Sequence, residues 1–342
     1  MVIRVKSLTE FKIKNMTLKN RIVMPPMCMY SAEEDGFVKD FHRIHYGSRA
    51  IGGAGLIIVE ATAVVPNGRL TSNDLGIWSD DHIQGLKSLV DGVKAHGSKI
   101  ALQLGHGGRK SASNDEYIVA PSPISYSPDY RMPRELTLDE IKDLVSSYRE
   151  AARRANEAGF DAIEVHGAHG YLVHEFLSPL TNKRRDQYGG SLENRTRFLN
   201  EILSSIKEIW PEEKPIIVRV TADDYLEGGI DKEEIVRIVN EVKSNIDLVH
   251  VSTGGLVNVK FDIFPGYQVS YAEAIKNQCD IATIAVGLID EYRQIEEILY
   301  NERADLVAVG RGFLRDPYFV LNMAHSQGIK MDYPLPYERA YR

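Results

Sequence analysis

The 342 residues include only two cysteines, Cys28 and Cys279, too few for a disulfide framework. Neither lies in a Cys-x-x-Cys pair that would hold a metal or cycle between redox states. No apolar run is long enough to cross a bilayer, and the opening Met1-Val2-Ile3-Arg4 lacks the apolar stretch of a secretory signal. Together these gaps point to a soluble chain in a reducing, cytoplasmic setting. Positive charge is also in deficit, with 41 Lys and Arg against 48 Asp and Glu and a net charge of −7. That sign disfavours a non-specific binder of nucleic acid or acidic membrane. The short basic run Lys183-Arg184-Arg185 is followed at once by Asp186 and reads as a solvated loop. Neither a Gly-x-Gly-x-x-Gly after a strand nor a Gly-x-x-x-x-Gly-Lys-Ser/Thr is present, so a Rossmann dinucleotide fold and a P-loop both lack support.

What is present is a rhythm. Short runs rich in Val and Ile recur at 21–24, 55–60, 99–104, 161–166, 216–220, 248–252, 283–286 and 306–310. They alternate little between apolar and polar, as parallel strands covered on both faces do. Helical patterns lie between them. Ser79 to His96 stops at Gly97, and Thr137-Leu-Asp-Glu140 is a capping box opening a helix that ends at Gly159. Ser191-Leu-Glu-Asn194 opens another before Pro211, and further helices are expected at 41–51, 232–243, 271–277, 290–300 and 313–325. Eight strand–helix repeats predict an α/β fold, a (β/α)₈ TIM barrel forming one domain over 1–342, with a doubly wound sheet as the alternative. Residues 10–20 read as a β-hairpin plug on the barrel floor, and residues 105–136 as a long capping loop after strand three.

Barrel enzymes carry their chemistry at the C-terminal ends of the strands. Gly287 and Gly310-Arg311 follow strands seven and eight, where a Gly admits an anion to the backbone and Arg311 adds a cationic fork; this suits the phosphate of a mononucleotide cofactor. His166 and His169 close strand four and could jointly donate to a carbonyl oxygen, while Tyr171 could deliver a proton to carbon. The alternatives there are a metal held by His166, His169 and His174 with Glu164 or Glu175, or plain packing. Arg219 ends strand five and suits the anionic pyrimidine end of a reduced flavin, or else an internal ion pair with Glu60 or Asp223. Gln103 could read a flavin's imide edge, and Cys28 is a thiol for cofactor contact or nucleophilic attack. Cys279 reads as structural.

Met24-Pro-Pro-Met-Cys-Met-Tyr30, the block from His166-Gly-Ala-His169-Gly-Tyr171 to Leu180, Arg185 to Arg195, Asp305 to Arg311 and Pro336-Tyr-Glu-Arg339 together resemble the old yellow enzyme family, in its thermophilic-like bacterial branch of NADPH dehydrogenases. The resemblance implies a bound FMN reduced by NADPH, and hydride transfer to the C=C bond of α,β-unsaturated carbonyl and nitro compounds. It places Pro25, Pro26, Met27, Cys28, Ala61, Gln103, Arg219, Gly287, Gly310 and Arg311 around FMN. It gives His166 and His169 the acceptor's oxygen, Tyr171 the proton for the α-carbon and Tyr30 a contact with the acceptor. Arg339 would reach a neighbouring subunit's site in a homodimer or homotetramer. Pro25 departs from the family's frequent Ser, Thr or Ala and has no N–H to give. Gly105, Gly107 and Gly167 stand where Ala is common. Other acceptors for such a barrel are quinones or a tRNA uridine, the latter at odds with the acidic charge. Two cysteines leave no room for the iron–sulfur cluster of a dienoyl-CoA reductase. A flavin-binding sensor and a hydrolytic metal barrel are the remaining alternatives.

Overall fold

Strands with apolar side chains at successive positions need cover on both faces, and this chain provides it by closing eight of them into one parallel barrel wrapped in helices. The computed structural model describes residues 5–341; residues 1–4, read above for their lack of an apolar stretch, lie outside the described residues. The barrel strands are Ile22–Met24, Leu56–Ala63, Lys99–Gly105, Ala162–Gly167, Ile216–Thr221, Leu248–Ser252, Ala282–Ala285 and Leu306–Ala308. Each pairs in parallel with the next, and the eighth closes on the first. The (β/α)₈ expectation therefore holds, with strand ends shifted by three residues at most.

Alternate side chains of a barrel strand face inward. Low in the barrel the inward set is apolar: Ile58, Ala101, Ala162, Ile217 and Leu248 belong to a buried cluster separate from the larger one between strands and helices. The hairpin of Phe11–Ile13 with Met16–Leu18 closes this end, and its Met16 and Leu18 join the same cluster. Two residues further along strands three to six the inward positions turn polar: Gln103, Glu164, Arg219 and His250 are all buried. The mouth is thus lined by charge and hydrogen-bonding capacity, and the floor by hydrocarbon.

Helices form where caps and periodicity direct them. Thr137 accepts from the Glu140 N–H at 3.3 Å while Glu140 accepts from the Thr137 N–H at 2.8 Å, opening the helix Leu138–Glu157. The helix expected over 313–325 is instead two, Gly310–Arg315 and Phe319–Ser326, because Pro317 sits between them and cannot continue a ladder. A six-residue helix, Leu172–Leu177, follows strand four without having been expected. The long loop after strand three is tied to itself by the two-residue pairing of Val119–Ala120 with Arg134–Glu135. No helix among the described residues is long and apolar enough to cross a membrane.

Candidate active site

A cleft of about 310 Å³ opens at the ends of strands five to eight, bounded by Arg219, Ser252, Gly287, Gly310 and Arg311. Gly287 has φ of +126°, and a β-carbon there would come within 2.9 Å of the Gln268 amide, so only glycine fits. Arg311 is exposed and leads the short helix Gly310–Arg315 into the cleft. Across the barrel seam, a β-carbon at Gly310 would stand 3.7 Å from both Pro25 and Met27, which brings the ends of strands one and eight together. A cation, a glycine-lined wall and hydroxyls of this kind suit a phosphorylated ligand.

Arg219 is the cation at the centre of the mouth. Its Nη1 reaches the Pro26 carbonyl at 3.5 Å, and its buried Nε has no partner among the described residues. The internal pairing considered for it, with Glu60 or Asp223, is not what forms. Glu164 is its main opposing charge, while Asp223 accepts from the Tyr271 hydroxyl at 2.7 Å. Glu164 is in turn held by the Gln103 amide at 2.7 Å and by His250 at 2.8 Å. Gln103 therefore spends one of its two N–H donors on Glu164, which leaves the other and its oxygen for a ligand. A buried guanidinium with unused donors needs an anionic or acceptor-rich group above it, and the pyrimidine edge of a flavin supplies one. By donor set, unpartnered guanidinium and cleft, these residues fit FMN.

His166 ends strand four and His169 follows in a left-handed conformation, φ +61°. Their ring centroids are 5.2 Å apart with planes at 82°, and His166 lies 5.0 Å from the ring of Tyr171. The His169 backbone N–H donates to Thr221 Oγ1 at 2.8 Å, and its Nε2 meets Ser252 Oγ at 2.8 Å. His166 Nδ1 is buried without a partner among the described residues. Burial first, and then the charge of Arg219, holds both imidazoles well below the ordinary histidine range, so both are neutral near pH 7. The other side chains considered for a metal cluster turn elsewhere. His174 accepts the Gly170 N–H at 2.9 Å and faces Asp224 at 3.1 Å; Glu175 accepts the Arg109 N–H at 2.9 Å. Among the described residues no group of three such ligands converges.

Tyr171 is shielded, and burial, followed by the negative ends of Cys28 and Tyr30, holds its proton more firmly than in a free phenol. Ala61 shares a small pocket with His166 and Tyr171. Burial pushes the Cys28 thiol up to about 12, so it stays protonated near neutrality and is a poor nucleophile. Tyr30 has φ of +52° and its side chain is half exposed at the rim. Lys110, which sequence reasoning passed over, sends its ammonium to the carbonyls of His169 at 2.8 Å and Gly255 at 2.9 Å, 5.1 Å from the centre of the Tyr171 ring. Glu164, His250 and Ser252 were also unassigned or misassigned; all three are polar residues inside apolar strands, which was their one visible signal. Cys279 is buried with its thiol toward the Val236 carbonyl. Arg339 is exposed on the tail turn Glu338–Ala340, which packs against the last helix through Tyr341 and Asn322, and it is not among the residues bounding the cleft at Arg219 and Arg311.

Residues 8–328 match the NADH:flavin oxidoreductase / NADH oxidase family. The chain is 56% identical over 337 residues to the NADPH dehydrogenase of Clostridium acetobutylicum, covering 98% of this chain and 99% of that protein. It superposes on an old yellow enzyme homologue from Zymomonas mobilis with a TM-score of 0.81 at 27% identity, over 96% of this chain and 94% of that one. It also superposes on 2-naphthoyl-CoA reductase with a TM-score of 0.89 at 27% identity, over 95% of this chain but only 52% of that longer one. A parallel barrel whose mouth fits FMN, matched by family and by near-full-length relatives, therefore belongs to the NADH:flavin oxidoreductase / NADH oxidase family, that of old yellow enzyme, and is an FMN-dependent oxidoreductase of the NADPH dehydrogenase kind.

Proposed function

We propose that this chain is an ene-reductase, adding hydrogen across the C=C bond of α,β-unsaturated carbonyl compounds, with nitroalkenes and quinones as related acceptors. The observation that carries the reading is the pair of neutral imidazoles, His166 and His169, set 5.2 Å apart beside Tyr171. Pro25, Pro26, Met27, Cys28, Ala61, Gln103, Arg219, Gly287, Gly310 and Arg311 would hold FMN, the last three and Arg219 at its charged parts. Bound FMN supplies the hydride that the β-carbon receives, taken beforehand from NADPH.

The remaining work falls to side chains of this chain. The contact of His169 Nε2 with Ser252 Oγ at 2.8 Å orients the ring, and the tautomer protonated on Nδ1 would give that proton to the acceptor's oxygen. His166 Nδ1, without a partner among the described residues, would supply the second donor. Two neutral donors stabilise the negative charge that grows on the oxygen as hydride arrives. They do so without the desolvation cost that a second buried cation next to Arg219 would bring. Tyr171 then gives its proton to the α-carbon, so one hydride and one proton complete the addition. Tyr30 closes the acceptor's outer side. The barrel with its plug and loop acts as one FMN-binding domain over 1–342, and Arg339, exposed on the tail turn, serves the mouth of a neighbouring copy in a homodimer or homotetramer.

An anaerobic titration tests this directly. NADPH is expected to bleach the flavin band of the purified holoprotein, and cyclohexenone to restore it. A band that bleaches but is not restored by cyclohexenone, nitroalkene or quinone would reject the ene-reductase reading and leave an oxidase.

A further inference from the structure

Glu60 breaks the alternation of its strand. In strand two, Leu56 and Ile58 face the barrel interior, so Glu60 should do so as well. The pairing with strand three slips there: Val59 stands opposite Leu102, and Thr62 opposite Leu104, leaving Glu60 and Ala61 against the single residue Gln103. Such a bulge re-aims side chains. Ala61 is turned into the mouth beside His166 and Tyr171. Glu60 is turned the other way, toward the loop after strand one and the helix Asp40–Ile51, where its side chain is buried.

Its carboxyl group is fully engaged there. One oxygen accepts the backbone N–H of Met29 at 2.8 Å, and the other accepts the Tyr46 hydroxyl at 3.1 Å. The Tyr46 oxygen accepts the N–H of Glu60 itself at 3.0 Å, closing the loop of bonds. His42, whose Nδ1 accepts the Lys39 N–H, stands 3.5 Å away with its other nitrogen. Met29 lies between Cys28 and Tyr30 on the loop after strand one, and these two act on one another's protons. Tyr30 is held in the left-handed region, which a tyrosine does not choose unaided.

We propose that Glu60 is a positioning residue for the mouth: its buried carboxylate latches the Met29 backbone and so fixes where Cys28 and Tyr30 stand, and the latch slackens when the carboxylate takes a proton. The inference rests on the reading that Cys28 and Tyr30 face the cofactor and the acceptor. A carboxylate accepts from N–H and O–H far more strongly than a carboxylic acid does. Burial pushes Glu60 up to about 7, Asp74 adds to the rise, and the Met29 and Tyr46 donors pull against it. Tyr46, His42, Cys28, Tyr30 and Asp74 are the other titratable groups around it. His42 is held down at about 4, Cys28 and Tyr30 up at about 12, and Tyr46 well above the ordinary phenol range, so none of these four changes charge near neutral pH; Asp74 is raised by its own burial and adds to the rise at Glu60. The latch is therefore closed above about pH 7 and slack below it.

The FMN-loaded protein, Glu60→Gln and Tyr46→Phe are compared by the visible flavin band between about pH 5 and about pH 9, a span that brackets the carboxyl's titration. The unaltered protein is expected to show one transition with a midpoint near about 7. Glu60→Gln is expected to abolish it and to raise the KM for cyclohexenone about tenfold, with a smaller change in kcat, the size expected for one lost charge-assisted bond. Tyr46→Phe keeps the carboxyl but removes a donor to its charged form, so the midpoint is expected to move to higher pH. A transition that persists in Glu60→Gln, or a midpoint unmoved in Tyr46→Phe, overturns the proposal. The spectral measurement needs no enone turnover. If the acceptor reading fails, turnover is missing while the transition remains; if the latch fails, the transition is missing or unaltered by the variants.

Discussion

The floor and the mouth of this barrel are made by the same strands, one step of two residues apart, and they differ in almost every physical respect. At the floor Ile58, Ala101, Ala162, Ile217 and Leu248 meet the plug residues Met16 and Leu18 in a sealed apolar layer. At the mouth Gln103, Glu164, Arg219 and His250 form a buried polar layer whose bonds are only partly spent. The floor holds the structure together and gains from every methylene it hides. The mouth carries buried polar atoms without partners among the described residues, a cost that a stable fold retains where a ligand is to take up those bonds.

That contrast is open to attack from both ends. The largest effect is expected from replacing His166 and His169 together by Ala. One oxyanion donor is commonly worth about 10²–10³ in turnover, so enone reduction should fall by about 10⁴ or more. Reduction of the flavin by NADPH should continue, and rapid-mixing of the two half-reactions separates them. Equal loss in both halves would move the histidines from the acceptor to the cofactor. Tyr171→Phe comes next, with about 10²–10³ lost from the acceptor half-reaction alone. Leu18→Ala attacks the floor instead, where that side chain is fully buried. It is expected to cost about 3 kcal/mol of unfolding free energy, read in urea, and to leave kcat alone. A fall in kcat with the fold intact would show that floor and mouth are not separable. Smallest is Lys110→Met, which removes the cation by the Tyr171 ring and its two carbonyl bonds. About a tenfold loss is expected in the step that needs the Tyr171 proton, since an ammonium near a ring stabilises the phenolate left behind.

How much of this the sequence foretold divides along the same line. The eight strands were legible because runs of Val and Ile between caps and glycines can hardly be anything else, and the plug was legible as a hairpin before the first run. The helix break at Pro317 was missed although proline announces it, because the apolar spacing on either side is continuous. The polar layer was harder. In a strand apolar on both faces, sequence does not say which alternate set looks inward, so Glu164 passed for a metal ligand and His250 for nothing at all. Glu60 was harder still, since a bulge reverses its facing and no residue in the run marks the slip. That His166, His169 and Tyr171 would stand together was legible at once, because all three follow the end of one strand. Lys110 was lost in a loop where distance along the chain hides its reach to Gly255.

The plug has one more consequence. With Met16 and Leu18 packed into the base of the barrel, that end is filled by side chains, and the two imidazoles lie at the other end. On the reading proposed above, reductant and acceptor would share that one open face and use it by turns, and an excess of either would hold back the other.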